Sequence, residues 1–429
     1  MVVGIIVGAS IFVQPSEIGA HVPSVAGMLM VWLISGALTL CGALVCAELA
    51  SALPRTGGVY VFLKETLSPW AGFLWGWAMF WSVHSGIIAA TAVILGRYVA
   101  YFVPVGEPGI KVVAIAGILV FSGINYVGIR QGSRTQTLVT IAKMTAIAVI
   151  VLLFVLASPH PGRLVAHAGA AAGSTRPREL LLGVIAALFT FGGWHMVTYA
   201  AGETVRPEKT IPRALLIGTL VVTACYLALN AAYLLVLPLD QLVASQHVAA
   251  DASSALAGSK AGAAISGLVI LSCLGVLNGV ILSGPRVYCA MAEDGLAFRW
   301  LGAVHPRFRT PHLAIVLQAA WSAALVAAGT YRSLFTRVIY TEWIFFAAMA
   351  VGLFRLRRRP GYAPPYQVWG YPVVPVLFIL ASGAIVLNQL AADPRETAAG
   401  FLLVGLGLPV YYLRKRTHSA GGEDTHADH

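Results

Sequence analysis

The stretch Leu188-Phe189-Thr190-Phe191-Gly192-Gly193-Trp194-His195 lies inside an apolar segment that runs from about Leu180 to Ala201. Two adjacent glycines are poor helix formers, and they adopt backbone angles that other residues resist. At membrane depth, backbone groups freed by a broken helix are tolerated only where protein or a wet cavity meets them. The stretch therefore predicts an interrupted helix whose carbonyl groups face a small ligand. A kink made for close helix packing is the alternative.

A second interruption is predicted near the N-terminus, at Gly8-Ala9-Ser10. Two interrupted apolar segments in corresponding positions of two halves are the best sequence indication of a transporter's binding site. Only seven residues precede Gly8, which is about 10 Å of helix. We therefore expect that an N-terminal piece is missing or clipped, or that the start codon has been assigned too late.

The composition is that of an integral membrane protein. Of the 429 residues, 58% are hydrophobic and only 10% are charged, which is far too few charges for an ordinary soluble protein. A spanning helix needs roughly 20 apolar residues, so the chain can hold about a dozen. The five cysteines lack metal-ligand or redox-motif spacing. We expect neither a bound metal nor a cofactor.

Twelve apolar segments are predicted, of which the first and the sixth are interrupted. Their approximate bounds are 2–18, 25–52, 70–103, 112–127, 137–157, 180–201, 214–237, 261–282, 313–328, 334–354, 373–390 and 398–413. The predicted fold class is therefore an all-α membrane protein with twelve transmembrane helices. We expect one transmembrane domain over residues 1–416 and a disordered cytoplasmic tail over residues 417–429.

The basic residues predict the orientation. Twelve segments put both termini on one side, and 18 of the 28 lysines and arginines fall in the tail and the connections on that side. The positive-inside rule then puts both termini in the cytoplasm, with the protein in the inner (plasma) membrane. The formal charge of +11 reflects this orientation and an attraction to anionic membrane lipid, and we expect no nucleic-acid partner.

The interrupted segments 1 and 6 indicate an internal repeat, because five segments separate their starts. Segments 1–5 and 6–10 would form two five-helix repeats, with segments 11 and 12 appended. An odd number of helices inverts the second repeat against the first. Inverted repeats with interrupted first helices are the arrangement expected for alternating access.

The two interruptions would bind opposite ends of a zwitterion. The N–H groups that begin the second half of segment 1 would face a carboxylate, and Ser10 would add a hydroxyl group. The carbonyl groups around Phe189, Thr190 and Gly192 would accept hydrogen bonds from an ammonium group, with Phe189 as an aromatic lid. A kinked helix in segment 1 and ordinary core packing of Phe189 are the alternatives.

Two of the charged residues within predicted spans are candidates for a functional role. Lys143 lies midway along segment 5, where an ammonium group is costly and usually functional. A fixed positive charge there would replace a coupling sodium ion by bridging segment 1 to segment 5, although a lysine that snorkels to the interface is the alternative. Glu342 of segment 10 would shuttle protons or pair with a base such as Arg337, and the sequence does not choose between them.

Two further polar residues lie at membrane depth. Asn278 of segment 8 would either touch the substrate or bridge two helices. His195 follows the interruption of segment 6, and a single histidine in an apolar face is more often structural than a proton carrier.

Motifs for other functions are missing from the sequence. There is no P-loop, no His-Glu-x-x-His, no Gly-x-Ser-x-Gly and no Cys-x-x-Cys. We therefore expect no enzyme activity, and transport would be secondary.

The chain resembles the amino acid–polyamine–organocation (APC) superfamily over nearly its whole length, and most closely the bacterial relatives of the L-type amino acid transporters. Phe189 to Trp194 resembles the Phe-x-Tyr-Gly-Gly-Trp signature of segment 6, with Phe191 in place of tyrosine. Ala47-Glu48-Leu49, Pro54 to Tyr60, Asn278-Gly279 and Ala290 to Gly295 are similar to the family's segment 2–3 connection, segment 8 and the loop that follows it.

The resemblance implies a LeuT-like fold with two inverted five-helix repeats, and an amino-acid substrate. Its carboxylate would bind at the interruption of segment 1, and its amine at the carbonyl groups of segment 6. The positions carried over by motif are Ile6, Gly8, Ala9, Ser10, Ile11, Phe189, Thr190 and Gly192. Lys143 matches the lysine that replaces a sodium site in sodium-independent members. A looser alignment makes Ser82, Val83 and Tyr340 face the substrate side chain.

The chain departs from the family pattern in segment 1. The family usually has Gly-Ser-Gly where this chain has Gly8-Ala9-Ser10, and losing the second glycine narrows the space beside the substrate carboxylate. Animal light-chain members carry a cysteine outside segments 3–4 for a disulfide to a heavy chain. Residues Val103 to Lys111 contain no cysteine, so we expect no disulfide-linked heavy chain.

The sequence thus predicts a sodium-independent exchanger of neutral L-amino acids that works by alternating access, with segments 1 and 6 moving and Phe189 closing over the substrate. Three alternatives stay open. These are a proton-coupled amino acid symporter, an antiporter of cationic amino acids or polyamines, and a sensor that binds amino acids without transporting them.

Overall fold

The computed structural model describes residues 2–128, 133–157, 176–296 and 299–420. Within these ranges the chain is helical and contains no β-strand. The α-helices in chain order are α1 Val2–Ile6, α2 Gln14–His21, α3 Val25–Ala52, α4 Val59–Thr66, α5 Pro69–Ala78, α6 Ser85–Ala100, α7 Gly106–Val127, α8 Ser133–Ala157, α9 Pro177–Phe191, α10 Pro207–Val236, α11 Leu239–Ala244, α12 Val248–Ala257, α13 Ser259–Glu293, α14 His312–Ala328, α15 Tyr331–Arg357, α16 Val373–Ala392, α17 Pro394–Gly405 and α18 Gly407–Ala420. Short 3-10 helices lie at Ser10–Phe12, Trp194–Glu203 and Arg299–Gly302, and a π-helical turn at Met79–His84 joins α5 to α6.

Nine helical stretches in the described ranges are long and apolar enough to cross a membrane, and two shorter apolar helices run over Lys143–Ala157 and His312–Ala328. The chain is therefore an all-α, multi-pass membrane protein, as predicted. Segment 2 agrees with α3 at both ends, because the Ser24 side chain caps the helix by accepting from the Gly27 N–H.

Segment 8 is longer than predicted. It was predicted to end near Leu282, yet α13 continues to Glu293 through Pro285, although proline removes a helical hydrogen bond. Here packing against the neighbouring helices overrides the local signal.

Both predicted interruptions are present. The chain leaves the helix after Ile6 and resumes in the 3-10 helix at Ser10. The second interruption lies at Gly192-Gly193, between α9 and the 3-10 helix that begins at Trp194. Gly193 has φ of +87°, a conformation that favours glycine, and a Cβ there would lie 3.0 Å from Ile5 Cγ2. The second glycine of the pair therefore allows the two interruptions to approach each other.

The connections contain short helices that the sequence did not predict. The connection after α3 holds α4, and the one after α10 holds α11 and α12. Leu242 of α11 is fully buried, and a Cβ on Gly19 of α2 would lie 2.8 Å from Val243 Cγ2. Helices of six to ten residues give too few turns for a clear helical period.

The C-terminal end of the structure overlaps the predicted tail by a few residues. The last helix, α18, runs to Ala420, past the expected boundary at Thr417. The rest of the predicted tail, 421–429, lies outside the described residues.

Candidate functional site

A single tyrosine joins the two interruptions. The Tyr226 hydroxyl group on α10 lies 3.1 Å from the carbonyl oxygen of Ile6 and 3.1 Å from that of Thr190. Tyr226 is fully buried, and its ring packs edge-on against Trp32 and Phe191. Its single hydroxyl proton is therefore shared between two carbonyl groups at the ends of broken helices, where helical partners run out.

A small cavity of about 70 Å³ lies between the two interruptions. Its lining comes from five parts of the chain: α1 with the break that follows it, α6, α9 with the break that follows it, α13 and α15. The predicted site residues in the lining are Ile6, Gly8, Ala9, Ser10, Phe189, Thr190, Gly192 and Glu342. Both predicted half-sites thus face one shared space.

The short helix after the first break starts next to this cavity. Its first backbone hydrogen bonds run from the Phe12 N–H to the Ala9 carbonyl oxygen, at 3.2 Å, and from the Val13 N–H to the Ser10 carbonyl oxygen, at 3.0 Å. The N–H groups that precede Phe12 have no partner within this helix, as at any helix N-terminus. Anion binding by these N–H groups stays a prediction.

Helical spacing explains the lining residues that sequence reasoning missed. Glu342 shares its face of α15 with Val338 and Ile339, which precede it by four and three residues and so lie one turn away. Tyr340, two residues from Glu342, points elsewhere, and its hydroxyl group lies 3.4 Å from the Glu396 carbonyl oxygen. The other missed lining residues are Ile5, Ile87, Thr91, Gly193, Met196, Val276 and Val280.

Asn278 bridges two helices. It lies between Val276 and Val280, two residues from each, and therefore on the other side of α13 from the cavity. Its Oδ1 atom accepts a hydrogen bond of 2.9 Å from Asn125 Nδ2 on α7. Of the alternatives for this residue, the structure thus shows the helix-bridging contact.

The remaining predicted side-chain contacts also lie outside the lining. Ser82 in the π-helical turn shares a 2.9 Å hydrogen bond with Thr341 of α15, and both are buried. Val83 and Ile11 are fully buried. Their substrate-binding role stays a prediction.

Glu342, which lines the cavity, and His195 are buried neighbours. Glu342 Oε1 lies 4.0 Å from His195 Nε2 on the interrupted segment 6, and the pairing of Glu342 with a base such as Arg337 stays a prediction. The His195 ring is packed among aromatic rings, with Phe346 at 5.0 Å and Trp75 at 5.8 Å between centroids. Neither ring nitrogen of His195 nor Glu342 Oε1 has a hydrogen-bond partner among the described residues, which is uncommon for buried polar atoms.

Phe189 separates this cavity from a second one. Its ring lies 5.6 Å from that of Phe335 on α15. Phe189 lines the small cavity, whereas Phe335 lines a space of about 300 Å³ with His21 and Arg332. The two rings therefore lie between the two spaces.

An ion pair and a hydrogen bond hold α2 beside this larger space. Arg332 of α15 binds Glu17, with nitrogen–oxygen distances of 2.7 and 2.9 Å. His21 Nδ1 lies 2.8 Å from Glu179 Oε2 on α9. Helix α2 is therefore held to both α15 and α9.

A second charged cluster joins the end of α3 to the end of α15. Arg357 binds both carboxylate oxygens of Glu48, at 2.8 and 2.6 Å. The fully buried Glu48 also accepts hydrogen bonds from the Tyr362 hydroxyl group and the Val368 N–H. A desolvated carboxylate needs such a set of partners.

Lys143 lies on α8 and is partly buried. Helix α8 packs against α1 and α10, the helices that carry the first interruption and Tyr226. Lys143 is not part of the cavity lining. In the described part of the chain, no three His, Cys, Asp or Glu side chains come together as metal ligands would.

Comparison with known proteins identifies the family. Residues 1–409 match the family model for amino acid permeases. The chain belongs to this family. It is thus an APC member, as the resemblance of its motifs implies, and an amino acid transporter rather than an enzyme.

Individual relatives align over almost the whole chain. The serine/threonine exchanger SteT of Bacillus subtilis is 34% identical over 98% of this chain and 96% of its own length. The cystine/glutamate transporter of Homo sapiens is 28% identical over 96% of this chain and 83% of its own length. The rat large neutral amino acids transporter small subunit 2 is 28% identical over 96% of this chain and 78% of its own length.

Proposed function

We propose that this permease is a sodium-independent exchanger of small neutral L-amino acids. One observation carries the proposal, which is the shared cavity lined by both interruptions. A free amino acid has an ammonium and a carboxylate group on one carbon atom, and these two groups need complementary partners within a few ångströms of each other. Two broken helices that face one small space offer such partners.

The pose follows from the backbone groups. The carboxylate binds at the N–H groups and the hydroxyl group near Ser10, while the ammonium group binds at the carbonyl groups around Phe189 and Thr190. The cavity of about 70 Å³ favours a small side chain. The name of the 34% identical relative, a serine/threonine exchanger, agrees with that size class.

Alternating access uses the interrupted helices as moving parts. Twelve spans in two inverted five-helix repeats, with both termini in the cytoplasm, would let segments 1 and 6 tilt together in the inner membrane. Phe189 and Phe335 then act as the gate between the cavity and the space beside Arg332. The Glu17–Arg332 pair opens and closes with it.

Sodium independence is assigned to Lys143. Its ammonium group lies on a helix that packs against α1, where a fixed positive charge takes the place of a coupling ion. In this proposal, binding and transport of the amino acid require no metal, no cofactor and no disulfide-linked heavy chain.

A second candidate function rests on Glu342. A carboxylate in the cavity lining suits a cationic side chain or a transported proton, with His195 as its neighbour. The second candidate is therefore proton-coupled uptake or the antiport of cationic amino acids.

Counterflow in liposomes tests the proposal. Purified protein in sodium-free vesicles should accumulate labelled serine faster when unlabelled serine is inside. Failure to move any neutral amino acid under these conditions contradicts exchange.

A further inference from the structure

A large apolar cavity lies apart from the candidate substrate site. Its volume is about 480 Å³, and it shares no lining residue with the substrate cavity. Its walls come from α5 with the π-helical turn, the end of α13, the 3-10 helix Arg299–Gly302 and α14. It is therefore a pocket built from four elements and not a bare helix face.

The walls offer almost only hydrocarbon. The ring N–H of Trp77 donates to the Leu403 carbonyl oxygen, and that of Trp321 donates to the Trp81 carbonyl oxygen, both at 2.8 Å. The Tyr288 hydroxyl group donates to Gln318 at 3.2 Å. Since these polar atoms are already used within the protein, they are not available to a guest.

The cavity lies against two helical stretches that are long and apolar enough to cross a membrane, and its mouth is exposed. Its wall on α5 and the π-helical turn runs from Phe73 to Trp81, about 6 to 18 Å from the Pro69 end of the span. Leu317 is 38% exposed and Trp300 45% exposed, and Ala320 is exposed as well. Phe73, by contrast, is only 3% exposed. The mouth is thus exposed and largely apolar, as a surface in contact with the bilayer would be, while the inner wall is covered.

Three states of the cavity are compared: filled with water, empty, and filled with a lipid chain. A buried water needs two to four polar partners, which this lining does not provide. An empty space of this size forfeits dispersion contacts on every wall. A lipid chain leaves one hydrocarbon environment for another, so it fills the space without a desolvation cost.

We propose that this cavity is a binding site for one acyl chain of a bilayer phospholipid, which enters between α14 and the Arg299–Gly302 helix. The aromatic rings hold the chain by packing: Trp81 and Trp321 lie 5.0 Å apart, and Phe80 and Tyr288 lie 5.5 Å apart, between centroids. Met291 closes the inner wall over Gly76, where any added Cβ would collide with its sulfur atom.

A photoreactive lipid tests the site. The full-length protein is reconstituted into liposomes that contain a trace of phosphatidylethanolamine with a diazirine on one acyl chain, irradiated, and mapped by peptide mass spectrometry. The expected result is labelling of the covered wall residues Phe73, Tyr288 and Met291, which are 2–3% exposed and out of reach of lipid that merely surrounds the protein.

A variant with a blocked mouth tests the route of entry, and a matched variant serves as its control. Ala320→Phe should reduce wall labelling at least about fivefold, a loss of about 1 kcal/mol in occupancy. Ala324→Phe changes an equally exposed alanine one turn along α14 that does not line the cavity, and it should leave labelling unchanged. A monodisperse peak in size-exclusion chromatography shows that each variant is folded. Labelling confined to the outer faces of the helices, or wall labelling that Ala320→Phe leaves intact, overturns the proposal.

Discussion

Glu342 Oε1 lies 4.0 Å from His195 Nε2, and each of the two residues is at most 1% exposed. The pair connects α15 to the interrupted segment 6, and its Glu342 member lines the candidate substrate cavity. It is also the feature that separates the main functional proposal from its alternative, because only a proton or a cationic substrate needs a charge at this place.

Replacing this carboxylate by an amide should spare neutral exchange. Glu342→Gln keeps the shape of the cavity, and a neutral substrate loses no charge partner. We expect the rate of serine counterflow to stay within about threefold of that of the unaltered protein. This corresponds to a change of less than about 1.4 kcal/mol in the free-energy barrier to transport. Loss of serine counterflow in Glu342→Gln, together with loss of any uptake driven by a pH gradient, would move the assignment to proton coupling.

The hydroxyl group of Tyr226 should matter for both stability and transport. Tyr226→Phe leaves the carbonyl groups of Ile6 and Thr190 without this donor, and an unsatisfied buried group costs about 1–3 kcal/mol. We expect a lower melting temperature and roughly tenfold slower counterflow. Tyr233→Phe is the matched control, since Tyr233 is fully buried on the same helix and its hydroxyl group has no partner among the described residues. Equal effects of the two variants would show that the bridge is unimportant.

The positive charge of Lys143 should be required when sodium is absent. Lys143→Met removes the charge and keeps most of the apolar stem, so sodium-free counterflow should fall about tenfold or more, corresponding to about 1.4 kcal/mol. Lys111→Met is the control, because Lys111 bonds the Ala327 carbonyl oxygen at an exposed position. Undiminished sodium-free counterflow in Lys143→Met would exclude the proposed role.

Gly8 should limit the size of the substrate. A Cβ at Gly8 would meet nothing closer than the Ile6 carbonyl oxygen at 3.8 Å, so Gly8→Ala fits the backbone and takes its volume from the cavity. We expect the ratio of leucine to alanine counterflow to fall about tenfold, the usual effect of one methylene group in a pocket. Gly123→Ala, on an exposed face of α7 with open space around it, should leave the ratio unchanged. An unchanged ratio in Gly8→Ala would place the side-chain pocket elsewhere.

The Glu48–Arg357 pair should hold α3 to α15. Arg357→Met leaves a fully buried carboxylate without its cation, a change that typically costs about 3–5 kcal/mol. We expect a marked loss of thermal stability, followed by tryptophan fluorescence, and a partial recovery when Glu48→Gln is added. Arg355→Met, at an exposed position of the same helix, serves as the control. A melting temperature for Arg357→Met equal to that of the control would contradict this role.

The backbone features of the site could be predicted from the sequence. The adjacent glycines at 192–193 and the Gly-Ala-Ser at 8–10 interrupt their helices because of their own backbone preferences. Such an interruption can be recognised in the sequence of an apolar segment. The apolar run and its serine cap give α3 both of its ends. These signals come from neighbouring residues in the chain, and the structure retains both interruptions and the cap.

The side-chain lining could not be predicted in the same way. Which face of α15 meets the cavity depends on the rotation of the helix in the bundle. The sequence offered Tyr340 and Glu342, whereas the lining contains Glu342 together with Val338 and Ile339. Tyr226 gave no signal, since one tyrosine in an apolar helix is ordinary. The partnership of Glu342 with His195 joins residues far apart in the chain, and no spacing rule connects them.

The most direct test of the central claim is counterflow with purified protein in sodium-free liposomes at equal pH on both sides. Vesicles loaded with unlabelled serine or alanine should take up labelled serine faster than empty vesicles, and a pH gradient should not replace the internal amino acid. Uptake into empty vesicles that follows a pH gradient, with no acceleration by internal amino acid, would contradict exchange.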